Sequence, residues 1–79
     1  MDDPAFYPAP TEFTPEEVQE DEILRFFHYE HLPPALQPRS KPFFQLAWHI
    51  IRTTPNNPER AVALRKLLEA KDAGVRANV

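Results

Sequence analysis

The chain has 79 residues, of which 12 are Asp or Glu and nine are Lys or Arg, with no cysteine and a net charge of −3. This length predicts one domain with a small core, and the missing cysteine excludes disulfides and cysteine-ligated zinc. No segment approaches the roughly 18 apolar residues of a membrane span, and the N-terminus is acidic where a secretory signal is basic. We therefore expect a cytoplasmic protein that does not enter a membrane.

Charge is divided unevenly along the chain. Residues 1–32 hold nine acidic residues and one Arg, whereas residues 33–79 hold eight Lys or Arg and three acidic residues. A basic half attracts anionic ligands, and the acidic half can either fold over it or repel polyanions. This division argues against duplex DNA as a partner, because non-specific DNA binding needs an unopposed basic surface.

The chain begins with an arm and a short helix. Three prolines among residues 1–13 exclude a regular helix and predict an extended or disordered acidic arm, followed by a helical domain over residues 14–79. The run Thr14-Pro15-Glu16-Glu17 has the order of a capping box with proline at the first helical position. Apolar side chains follow, so a helix is predicted over about 15–28.

Two longer helices are predicted after the proline-rich connector that follows His31. The first is expected over about 40–53, with Ser40 as its N-cap, and the second over about 58–76, with Asn57 as its N-cap and Pro58 at its first position. Three or four residues separate the two helices, and a turn this short joins them as an antiparallel hairpin. The predicted fold is therefore all-α, a short N-terminal helix followed by a two-helix hairpin, and its surplus of apolar surface predicts a homo-oligomer.

The residues give no sign of catalysis. Gly74 is the only glycine, which excludes a Gly-rich phosphate loop, and no cysteine nucleophile exists. The three histidines follow no known ligand spacing. We expect neither an enzyme nor a bound metal, and no cofactor.

Several cations and aromatic residues are candidates for ligand binding. Arg39 and Lys41 flank the predicted helix start at Ser40, where free backbone N–H groups would bind phosphate. Tyr29 and His31 lie in the connector, where they either stack on a planar ligand or clamp the helix ends. Further basic residues share faces of the last helix at a spacing of 11 residues, namely Arg60 with Lys71 and Arg65 with Arg76. A solvated basic face is the ordinary interpretation of such a stripe.

About fifty residues resemble a known family. The stretches that carry the likeness are Tyr29-Glu30-His31-Leu32-Pro33, Phe43-Phe44-Gln45-Leu46-Ala47 and the helix that opens Asn57-Pro58-Glu59-Arg60 and continues to Ala73. They resemble the anti-CBASS cyclic-nucleotide sponges of bacteriophages, whose helical hairpin is shared with the anti-Thoeris sponges. The chain departs from that family in having Glu30 between Tyr29 and His31, and in its acidic N-terminal residues.

The resemblance implies a hexamer that sequesters cyclic di- and trinucleotide immune signals without cleaving them. It implies that Tyr29 stacks on a base beside His31, that Lys41 binds phosphate, and that Arg60 and Arg76 serve a second pocket between subunits. The candidate ligand-binding residues are therefore Tyr29, His31, Arg39, Lys41, Arg60 and Arg76. The alternative is a helical module whose apolar surface binds a protein partner.

Overall fold

The computed structural model describes residues 13–78, and within that range every regular element is helical. Helix α1 spans Pro15–Glu20, a 3₁₀ helix spans Glu22–Phe27, α2 spans Gln37–Thr53 and α3 spans Pro58–Arg76. The all-α prediction is therefore confirmed for this part of the chain. The predicted arm lies outside the described residues, except for Phe13.

The N-terminal helical region is divided at Asp21, whereas one helix was predicted over about 15–28. The predicted capping box is present: the Glu17 N–H donates to Thr14 Oγ1 at 3.1 Å, and the Thr14 N–H donates to Glu17 Oε1 at 2.8 Å. Asp21 has φ −134° and ψ 88°, outside the helical region. Its carboxylate binds Arg60 of α3, so a tertiary ion pair accompanies the break that local pattern did not predict.

Helix α2 begins three residues before the predicted start. The N–H groups of Leu36 and Gln37 both donate to the Pro33 carbonyl, at 2.8 and 3.3 Å, so the turn after Pro33 continues directly into the helix. Ser40 is consequently not an N-cap. It lies fully buried within α2, and its hydroxyl has no hydrogen-bond partner.

Helix α3 has the bounds that the sequence predicts. Asn57 accepts a hydrogen bond from the Arg60 N–H at 2.9 Å, and Pro58 occupies the first turn, where its missing N–H is not needed. Helices α2 and α3 pack against each other, and the 3₁₀ helix contacts both.

The core forms where these three helices meet. Each fully buried apolar side chain contributes roughly 1.5–3 kcal/mol by its removal from water. Phe13 is buried here and its ring packs, tilted, against that of Phe44 with 4.6 Å between ring centroids, so the folded domain includes the last residue assigned to the arm. The buried apolar residues are Phe13, Leu24, Phe27, Tyr29, Phe44, Ala47 and Leu64.

Over residues 13–78, none of the helices combines the length and the apolar character that crossing a membrane requires.

Candidate functional site

A groove of about 430 Å³ lies between the connector and the first turns of α2. It brings together two of the predicted ligand-binding residues, Tyr29 and Lys41. Lys41 is exposed on α2 and is the cation among the lining residues, so it can contact an anionic ligand. The groove is lined by Tyr29, Glu30, Pro34, Gln37, Pro38 and Lys41.

Tyr29 lines the groove and belongs to the core at the same time. It is only 6% exposed, and its ring meets Phe44 edge-on with 5.6 Å between centroids. Of the two predicted roles, clamping the helix ends is the one these contacts support. Only the small exposed part of Tyr29 remains available to a ligand.

Gln37 fixes the shape of the groove. Its side-chain Nε2 donates to the Glu30 carbonyl at 3.2 Å and to the Leu32 carbonyl at 3.0 Å, which ties the connector to the first turn of α2. Both amide hydrogens are used in these bonds, so the oxygen remains as an acceptor. Gln37 could not be identified from the sequence, because it lies before the predicted start of α2 and no local pattern links it to residues 30–32.

The predicted phosphate site at the N-terminus of α2 is not formed as expected. The Gln37 N–H donates to Pro33, and the N–H groups of Arg39 and Ser40 both donate to the Leu36 carbonyl, at 3.1 and 3.2 Å. Proline at position 38 has no N–H to offer. The expected free backbone donors beside Arg39 and Lys41 are therefore occupied, and anion binding here depends on side chains.

The other predicted ligand-binding residues are not part of the groove. His31 and Arg39 are exposed but do not line it, and Arg76 is exposed at the far end of α3. These three side chains are accessible to solvent.

Arg60 is engaged within the chain. It is 5% exposed, and its Nη2 contacts Asp21 Oδ2 at 2.6 Å and Glu20 Oε1 at 2.9 Å. Its Nη1 donates to the Thr54 carbonyl at 3.1 Å. A guanidinium held by two carboxylates offers little to a phosphate, so in this conformation Arg60 is a structural residue.

Lys71 has a similar position on the same face of α3. It is buried, and its Nζ donates to the Phe26 carbonyl at the end of the 3₁₀ helix at 2.5 Å. The stripe of Arg60 and Lys71 that the sequence suggests as a basic face is thus covered by the acidic N-terminal region.

A smaller cavity of about 120 Å³ adjoins Arg60 and is lined mainly by carboxylates. Its acidic residues are Glu16, Glu17, Glu20 and Asp21, so it disfavours an anionic ligand. Among residues 13–78, no group of three or more histidine or acidic side chains is arranged to hold a metal ion. The groove at Tyr29 and Lys41 is therefore the better candidate for ligand binding.

Comparison of the chain with protein-family models, curated proteins and solved structures finds no match.

Proposed function

We propose that this protein is a bacteriophage anti-defence sponge, which binds cyclic di- or trinucleotide immune signals in the host cytoplasm and withholds them without cleavage. The observation that supports it is the groove, which unites Tyr29 and Lys41 although they are twelve residues apart. Its volume of about 430 Å³ lies in the range of small-molecule sites, about 300–1,000 Å³.

Lys41 supplies the charge that a cyclic nucleotide needs. Its ammonium group forms charge-assisted hydrogen bonds with phosphate oxygens, which are stronger than neutral ones. The exposed Pro34 and Pro38 offer flat apolar surfaces for a base, beside the visible part of Tyr29. These groups hold a ligand in place, and none is arranged as a nucleophile and base, which suits sequestration.

The proposal includes a homo-oligomer, a hexamer by the resemblance, built from antiparallel hairpins of α2 and α3. An open groove buries only part of a dinucleotide, so a second subunit is needed to enclose it. His31, Arg39 and Arg76 are exposed and would reach a ligand bound at a neighbouring subunit. Arg60 is left out of this ligand set because Glu20 and Asp21 already bind it.

Isothermal titration with a panel of cyclic di- and trinucleotides tests the proposal. We expect one of them to bind, to be recovered intact, and to bind more weakly at higher salt because phosphate contacts are electrostatic. Lys41→Ala should weaken binding roughly tenfold, since it removes a charged hydrogen bond.

The matched control is Lys66→Ala, which removes the same charge from an exposed position of α3 outside the groove. It should leave the affinity nearly unchanged. Absence of binding across the panel by the folded protein would refute the sponge function, and equal losses in both variants would remove Lys41 from the site.

A protein-interaction module is the second candidate, and one observation favours it. Phe26 is 53% exposed and Leu46 is 47% exposed, and large apolar side chains at the surface are common in protein interfaces. A protein-partner function predicts that Lys41→Ala leaves partner binding intact. Self-association would use these exposed side chains equally well, so their exposure does not distinguish the two functions. The nucleotide titration decides between them.

A further inference from the structure

The groove at the start of α2 contains a carboxylate whose presence phosphate binding does not explain. Glu30 lines the groove, is exposed, and forms no ion pair with any of residues 13–78. A free carboxylate repels a phosphate, so it lowers the affinity for any anionic ligand unless it contacts another part of that ligand.

The groove also contains a second acceptor. The Gln37 Nε2 donates to the carbonyls of Glu30 and Leu32, which uses both amide hydrogens and leaves Oε1 as an acceptor. These same bonds hold the backbone of Glu30, so its carboxylate extends from a fixed point. Apart from Lys41 and the Tyr29 hydroxyl, the polar side chains of the groove are those of Glu30 and Gln37. These two present acceptors and no donors to a base.

The two oxygens of a carboxylate match one base better than the others. The Watson–Crick edge of guanine presents two adjacent donors, N1–H and the N2 amino group, which a carboxylate can accept together. Adenine and cytosine each place one amino donor beside a ring acceptor, and uracil has one N–H between two carbonyls. Proteins read unpaired bases through hydrogen bonds to these edges.

We propose that Glu30 is a specificity-determining residue that selects a guanine base, with its carboxylate accepting from N1–H and the N2 amino group. This inference rests on the proposed function and adds the base to it. Lys41 then contacts phosphate, while Gln37 positions the Glu30 backbone. The extra carboxylate gives selectivity at a cost in general affinity for anions.

The test compares the affinity of the intact protein for cyclic di-GMP, cyclic di-AMP and cyclic di-IMP, which lacks the N2 amino groups. We expect cyclic di-GMP to bind about tenfold or more tightly than cyclic di-AMP, the order expected for a bidentate contact with a base. Cyclic di-IMP, with one donor remaining, should fall between them.

Glu30→Gln separates base recognition from charge. Its amide offers one acceptor and one donor, so the ratio of the two affinities should fall towards one, even if both nucleotides bind more tightly after loss of a negative charge. The control Glu69→Gln makes the same change at an exposed position of α3 outside the groove and should keep the ratio. Circular dichroism of both variants checks that they fold.

The possible outcomes distinguish guanine selection by Glu30 from the sponge function on which it rests. Equal affinities for cyclic di-GMP and cyclic di-AMP would overturn guanine selection, and a preference that survives Glu30→Gln would overturn the role of Glu30 in it; either result leaves the sponge function standing. Failure of every cyclic nucleotide in the wider panel to bind would overturn both.

Discussion

The Arg60 guanidinium joins the end of α1 to the turn before α3. It binds the carboxylates of Glu20 and Asp21 and the carbonyl of Thr54. Glu20 is exposed and adds little, whereas Asp21 is mostly buried and at 2.6 Å is the stronger partner. Removing the cation would leave the Asp21 carboxylate largely buried without its partner.

Arg60→Met should therefore lower the free energy of unfolding by about 3 kcal/mol, the order found when one member of a buried ion pair is removed. Arg65→Met is the control, since Arg65 is exposed and forms no ion pair with residues 13–78; it should change the stability by less than about 0.5 kcal/mol. Urea unfolding followed by circular dichroism measures both. Similar small effects would show that the Arg60 ion pairs do not stabilise the fold.

At the scale of elements, the sequence predicts the helices whose boundaries are set by nearby residues. Asn57 and Pro58 define the start of α3 locally, and that start is where the structure places it. The break at Asp21 accompanies an ion pair with a residue 39 positions away, which no local pattern contains. At α2 the sequence predicts a start at Ser40, whereas hydrogen bonds to the Pro33 carbonyl carry the turn after Pro33 directly into the helix.

The burial of Ser40 within α2 gives a stability prediction. Its hydroxyl is fully buried without a hydrogen-bond partner, which costs free energy that an apolar side chain would not. Ser40→Ala should raise the free energy of unfolding by about 1 kcal/mol, through loss of the unpaired hydroxyl and a gain in helix propensity.

Gln45→Ala, at an exposed position of the same helix, shows the contribution of helix propensity alone and should change stability by only a few tenths of a kcal/mol. Thermal unfolding of the two variants provides the comparison. A loss of stability in Ser40→Ala would mean that the hydroxyl has a role in the fold.

At the scale of the whole molecule, the described part of the acidic half, residues 13–32, packs against the basic helix α3. Arg60 and Lys71 hold the acidic region through side-chain and carbonyl contacts, which removes two cations from the basic surface. The division of charge was visible in the sequence, but which cations are paired depends on helix packing. The same limit applies to the site: Tyr29 and Lys41 could be selected from the sequence, whereas Gln37 and the burial of Arg60 could not.

Exposed apolar surface leads to the prediction of self-association. Leu46 of α2 is exposed, whereas Phe44 and Ala47 of the same helix are buried, and a domain of 9.2 kDa gains stability by covering such side chains. We expect the protein to be a homo-oligomer in solution. Leu46→Glu should lower the molecular mass of the assembly, because a charge is costly to bury in an interface. Sedimentation equilibrium measures that mass directly.

The control for Leu46→Glu is Gln45→Glu, which adds the same charge one residue earlier without removing an apolar side chain. It should leave the assembly intact, because charge alone at an exposed position is solvated, while Leu46→Glu should keep the helix content of the wild type and lose only the assembly. A wild-type mass equal to one chain would contradict the oligomer. Dissociation of both variants would instead assign the effect to charge repulsion, and the apolar contact of Leu46 would no longer be its cause.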